Sequence, residues 1–200
     1  MKESLITINR FSKDFHNKGD IRFCKTDWLE EEFKYIRYTN RNIVLISGNS
    51  DYCVTPELAA KAPPNLMFWF CQNLMFSHPK MTSIPLGIEN YLECGRPSHG
   101  KVWDHAKEKP QILEEADRDK EPTNLLYANF KVGTNPGHRA PIKELCENSD
   151  ITTWQEPDLT YPELIADILN HEAVVCPQGN DSGDNHRIYE VLYLNRIPIT

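Results

Sequence analysis

Short, unbroken apolar runs separated by stretches of helical periodicity restrict this chain more than any other feature. The runs fall at residues 5–8, 43–47, 66–70, 82–86, 125–128, 151–154, 173–176 and 197–199. Most are continuous rather than alternating, the pattern of strands covered by helices on both faces. Helices fit between several of them. Asp27-Trp28-Leu29-Glu30 has capping-box spacing ahead of Leu29, Phe33 and Ile36 on one helical face. Thr55 stands as an N-cap before Pro56 at a first helical position. Thr160-Tyr161-Pro162-Glu163 repeats the capping box, with Leu164, Ile165, Ile168 and Leu169 as its apolar stripe. A last helix is expected over 185–195, with Ile188, Val191 and Leu192 facing inward. This alternation predicts an α/β protein with mostly parallel sheets.

The rhythm breaks once. Residues 104–122 are dense in Lys, Glu, Asp and Arg and include Pro110, which reads as a solvated linker helix. The expected organisation is therefore an N-terminal α/β unit over 1–104, a charged linker over 105–122 and a C-terminal α/β unit over 123–200. A chain of 200 residues is long enough for two small units.

Charge and hydropathy narrow the partners. A formal net charge of -7 and a pI near 5.5 argue against broad binding to nucleic acid or to an anionic membrane, while leaving room for a local basic pocket. The apolar stretch within Met1 to Ile8 is too short for a signal peptide, and the run around residues 65–70 falls far below the roughly 18 apolar residues of a membrane span. A cytoplasmic, soluble protein is expected. The six cysteines form no Cys-x-x-Cys pair and have no histidine at zinc-ligand spacing, so reduced, buried thiols and no structural metal are expected.

The chemistry concentrates in residues 173–190. An apolar strand ending at Val175-Cys176 runs into a polar loop with Gly179 and Gly183, then into an amphipathic helix carrying His186, Arg187 and Glu190. Ligands of open α/β sheets bind at the carboxyl ends of strands. A helix N-terminus presents unpaired N–H groups and a positive dipole end, which suit a diphosphate. Arg187 adds a guanidinium fork for phosphate oxygens. Glu190, one turn on, is placed to accept hydrogen bonds from two adjacent ribose hydroxyls. The same two residues at i,i+3 also read as a solvent-exposed ion pair worth a few tenths of about 1 kcal/mol. Asp181, Asp184 and Asn185 lack the spacing of a calcium loop, and Asp184 or Asn185 reads as the helix cap.

The stretch Cys176-Pro177-Gln178-Gly179, followed by His186-Arg187-Ile188-Tyr189-Glu190-Val191-Leu192 and Ile197-Pro198-Ile199, resembles the nucleotide-sugar signature of exostosin-like glycosyltransferases. Asn195-Arg196 stands where that signature carries a glycine. Leu125 to Phe130 with His138-Arg139 is similar to the start of the donor-binding half of related sugar transferases. Leu45 to Tyr52, Trp69 to Asn73 and Ile84 to Ile88 resemble the acceptor-side half. The resemblance implies a GT-B architecture, two Rossmann-like units facing across a cleft. It implies a donor site built from Gly179, Asn180, His186, Arg187 and Glu190, with Asn129 and Arg139 lining the pocket. It implies a nucleotide-sugar donor, a glycan or other hydroxyl acceptor, and chemistry that needs neither a bound metal nor another cofactor.

An inverting transfer needs a base near the acceptor hydroxyl. Asp51, after the run at 43–47, and Glu89, after Pro85-Leu86-Gly87-Ile88, are the candidates. Asp51 reads equally as the residue that orders the turn Gly48-Asn49-Ser50. Trp69, Phe68 and Phe70 read as core rather than as a sugar-stacking platform. Three functions follow: a glycosyltransferase, a non-catalytic nucleotide or glycan binder of the same fold, or a metal-dependent phosphate-ester hydrolase using Asp51.

Overall fold

Strand pairing divides the protein into two α/β units. The structure, a computed structural model, describes residues 19–88, 108–180 and 185–200. The expected strand at 5–8 and the candidate base Glu89 lie outside those residues. The two units meet in sequence between Leu86 and Gly87. The described part of the charged stretch, residues 108–122, therefore groups with the second unit.

In the first unit, β1 (Ile21–Lys25), β2 (Ile43–Gly48), β3 (Leu66–Cys71) and β4 (Met81–Ser83) form a parallel sheet in the order β1-β2-β3-β4. The register aligns Phe23 with Ile46, Ile46 with Phe70 and Phe70 with Thr82. Helix α1 (Leu29–Tyr38) lays Leu29, Phe33 and Ile36 onto Leu45, Trp69 and Cys71. Phe33 meets the Trp69 ring edge-on at 5.4 Å, and the Trp69 indole donates to Ser47 Oγ at 2.9 Å, so Trp69 is core. The Asp27 capping box does not form: Thr26–Trp28 is a 3-10 turn, Trp28 is the N-cap, and no side chain caps the helix. Asp27 instead pairs with Lys25 at 3.3 Å and hydrogen-bonds Ser50. Thr55 does cap α2 (Pro56–Ala59), accepting from the Leu58 N–H at 3.4 Å, but that helix lasts four residues.

The end of this sheet is tightly built. The Gln72 side chain accepts from the Asn49 N–H at 2.7 Å and donates to the Pro85 and Leu86 carbonyls at 3.2 and 3.3 Å. It lies directly over Gly48, where an added Cβ would sit 2.3 Å from Gln72 Oε1. Only glycine admits that approach.

The second unit holds α3 (Lys109–Glu115), β5 (Asn124–Ala128), α4 (Pro136–Glu147), β6 (Thr152–Trp154), α5 (Tyr161–Leu169), β7 (His171–Val175), α6 (His186–Tyr193) and β8 (Ile197–Ile199). The strands are parallel in the order β6-β5-β7-β8. Side chains alternate across this sheet. Tyr127 and Val174 face a core with Leu113, Leu164, Ile168 and Val191, while Ala128 and Val175 face Phe130, Cys146 and Ile142. Both faces are thus covered, the physical reason for continuous apolar strands. Cys24, Cys71, Cys146 and Cys176 are buried thiols. Burial pushes Cys24, Cys71 and Cys176 up to about 12, which leaves them unreactive. No helix among the described residues is long and apolar enough to cross a membrane.

Candidate functional site

The strand order of the second unit decides where a ligand fits. After β5 the chain moves to β6 on one side, then crosses to β7 on the other. The loops leaving β5 and β7 therefore diverge, and open sheets bind ligands in the crevice outside the carboxyl ends of strands at such a switch point. A cavity of about 180 Å³ lies there, lined by Asn129, Phe130 and Lys131 after β5 and by Cys176 and Pro177 after β7. The N-terminal turn of α6 closes it with Asn185, His186 and Arg187, and Lys109, Arg139 and Glu190 complete its wall. Its volume is below the ~300–1,000 Å³ of sites that hold whole drug-sized ligands.

Each wall residue is held by a specific local device. Asn185 caps α6, its side-chain oxygen accepting from the Ile188 N–H at 3.3 Å, while its amide donates to the Pro177 carbonyl at 3.1 Å. The cap so ties the helix start to the strand exit. His186 Nδ1 lies 2.7 Å from the Gly87 carbonyl, an arrangement that needs the proton on Nδ1. Arg139 is buried and donates to three carbonyls: Gln178 at 2.8 Å, Lys131 at 2.9 Å and Pro177 at 3.2 Å. Burial, then the neighbouring Arg187, lowers its pKa. A guanidinium so treated stays charged, because its ordinary value is so high. Asn129 is also buried, and its amide donates to the Gln155 and Glu156 carbonyls at 3.2 and 3.0 Å. Both residues line this cavity, and both shape the loops around it.

Arg187 and Glu190 do pair, at 3.1 Å, but the pair is not a surface one. Glu190 is only 3% exposed. Its Oε2 accepts from Arg187 Nε, its Oε1 accepts from the Tyr161 hydroxyl at 3.0 Å, and Lys109 Nζ stands 3.8 Å from that same oxygen. Burial alone would raise its pKa, yet Lys109, Arg187, His186 and the Tyr161 hydroxyl together outweigh burial and hold it below its ordinary value. The Arg187 Nη1 reaches the Asn129 carbonyl at 3.4 Å. The electrostatic character of the cavity follows. Among the described residues, Lys109, Lys131, Arg139 and Arg187 line it against one carboxylate, Glu190. In a chain of net charge -7 this is a local concentration of positive charge.

Other expected residues sit elsewhere. Gly179 and Asn180 lie beyond the cavity wall; the Gly179 carbonyl accepts from Asn135 Nδ2 at 3.0 Å, and Asn180 is exposed. Asp51 is exposed in the loop after β2, in the first unit. There Asn49 takes a left-handed φ of 56°, Tyr52 N–H donates to Ser50 Oγ at 3.1 Å, and Asn73 donates to the Ser50 carbonyl at 3.1 Å. Among the described residues no group of His, Cys, Asp and Glu is arranged to hold a metal ion.

Sequence reasoning missed Lys109, Lys131 and Tyr161. Lys109 is masked by its charged neighbours, and Tyr161 reads only as the first residue of a capped helix. Their shared partner, Glu190, is distant in sequence from both Lys109 and Tyr161. No protein-family model matches this chain, and no curated protein sequence matches it.

Proposed function

We propose that the second unit binds the diphosphate of a nucleotide sugar and that the protein is a glycosyltransferase of the exostosin-like, GT-B kind. The observation that carries the reading is the cavity at the β5/β7 switch point, where four basic side chains and the start of α6 surround one space. Free N–H groups and the dipole of α6 favour anions at that end. Arg139 and Arg187 repel one another there, a repulsion that a bound anion relieves. Phe130 and Pro157 add the apolar wall against which a nucleoside packs.

In this reading the donor half is the second unit and the acceptor half is the first, the two facing across a cleft. Asp51 serves as base towards the acceptor hydroxyl, and Glu89 is the other candidate. The transfer joins the acceptor oxygen to the sugar's anomeric carbon, breaks the bond from that carbon to the diphosphate, and passes the acceptor's proton to the base. The leaving nucleoside diphosphate is stabilised by the basic cavity.

Isothermal titration with a nucleoside diphosphate tests the proposal. Arg187→Ala is expected to weaken binding roughly ten- to a hundredfold, since a charged hydrogen-bond partner contributes about 1.5–3 kcal/mol and about 1.4 kcal/mol is tenfold. The loss should be larger for a diphosphate than for a monophosphate. Failure of the unmodified protein to bind any nucleoside diphosphate would remove the reading.

A further inference from the structure

One ring nitrogen of His186 is committed and the other is not. Nδ1 lies 2.7 Å from the Gly87 carbonyl, an oxygen that can only accept, so the neutral ring carries its proton there. Nε2 is then an acceptor, and among the described residues none is hydrogen-bonded to it. The ring is half-buried and belongs to the cavity wall, whereas Gly87 lies outside that wall. The tether thus reaches a carbonyl beyond the wall and leaves Nε2 uncommitted. A neutral Nε2 presents an anion with a lone pair, which repels it; only the protonated ring presents a second N–H.

The charges around the ring decide which form is favoured. Among the described residues of the wall they are Arg187 and Glu190 of α6, Lys109 of α3, Lys131 in the segment after β5 and Arg139 of α4. The Cys176 thiol at the exit of β7 is pushed up to about 12 by burial and stays neutral. Four cations against one carboxylate disfavour a further positive charge in the free protein, and a bound anion reverses that balance. Histidine is the side chain that changes charge between about pH 5 and 8.

We propose that His186 is a proton-coupled ligand of this anion site: it takes up a proton when a phosphate binds, and Nε2–H then donates to a phosphate oxygen. The proposal rests on the anion-site reading above. The proton comes from solvent, the Nδ1–H stays on the Gly87 carbonyl, and no other bond is made or broken. The protonated ring is the binding form, so its contribution to affinity grows as pH falls and is lost as pH rises.

Calorimetric titration with inorganic pyrophosphate between about pH 6 and 8.5, on the unmodified protein and on His186→Asn, tests this. Asparagine keeps an N–H donor near the position of Nδ1 and has no Nε2. The ratio of the two affinities cancels the titration of pyrophosphate itself. The unmodified protein is expected to bind about tenfold more tightly than the variant at the acid end, with the ratio falling to about one at the alkaline end. A ratio that does not change with pH, whatever its size, overturns the inference and leaves the anion site standing. Buffers of different ionisation enthalpy count the protons taken up on binding; uptake as large in His186→Asn as in the unmodified protein also overturns it. If circular dichroism shows the variant unfolded, the His186 ring signals in the nuclear magnetic resonance spectrum of the unmodified protein decide. Conversion to imidazolium on adding pyrophosphate supports the proposal, and a ring that stays neutral refutes it. Should the unmodified protein bind pyrophosphate at none of these pH values, the anion-site reading fails and takes this inference with it.

Discussion

Arg139 shows at the scale of one side chain how a residue can face a site and still be structural. Each of its three nitrogens donates to one carbonyl, those of Lys131, Pro177 and Gln178, the backbone beside the cavity. Buried carbonyls that lose a donor cost about 1–3 kcal/mol each. Arg139→Met, which keeps much of the packing volume, is therefore expected to cost about 2–4 kcal/mol in urea unfolding, a large single-residue effect. An unchanged midpoint would mean that the three contacts contribute nothing. The four basic wall residues thus differ in kind: Arg139 holds the loops, while Arg187, with its Nη2 making no hydrogen bond to a described residue, is left to meet a ligand.

At the scale of elements, the return from α6 into β8 depends on one backbone angle. Leu194 ends the helix and Asn195 follows with φ of 57°. The Asn195 N–H then bonds the Leu192 carbonyl at 3.2 Å and the Arg196 N–H bonds the Val191 carbonyl at 3.0 Å, the paired bonds of a Schellman ending. Asparagine tolerates this conformation where most residues do not. The buried Arg196 then donates to the Leu169 carbonyl at 2.9 Å and the Lys120 carbonyl at 2.5 Å, anchoring the helix exit to the end of α5. Asn195→Ala should cost roughly 1–2 kcal/mol from the left-handed angle. Asn195→Gly should be neutral or slightly stabilising. A urea titration of both variants tests this, and equal losses in the two would show that the angle is not what limits the position.

Across the whole molecule, the two sheets differ in the feature that creates a site. The described strands of the first unit run in the order β1-β2-β3-β4 without reversal, whereas the second unit reverses between β5 and β7. Binding and turnover are accordingly expected to separate by unit. In the proposed transferase, Asp51→Asn should lower turnover roughly a hundredfold or more while leaving nucleoside diphosphate affinity intact, because general-base catalysis contributes about 10²–10⁴. Turnover that survives the change would return Asp51 to ordering its turn, a role the hydrogen bonds of Ser50 and Asn73 already surround.

What the sequence determined by itself was the set of elements whose signal is local. The buried strands at 43–47, 66–70, 125–128 and 173–176, the Thr160 capping box and the helix that bears Arg187 were all legible, since apolar runs and cap spacing need no partner to be read. The capping box forms, with the Thr160 N–H donating to Glu163 at 2.8 Å. β1 was not legible, because Ile21-Arg22-Phe23-Cys24-Lys25 mixes charge with apolar residues, as the outermost of the described strands of its sheet tolerates. Nor was α4, whose sequence carries Pro136, Gly137 and an internal Pro141; Pro136 is tolerated at the helix start because the first N–H groups lack partners anyway. The charged stretch shows the limit best. Read alone, Lys109 belongs to a solvated segment, and it is Glu190, 81 positions away as the numbering 109 and 190 shows, that makes its burial possible. Strand order and the pairing of buried charges are relations between distant residues, and only the tertiary structure decided them.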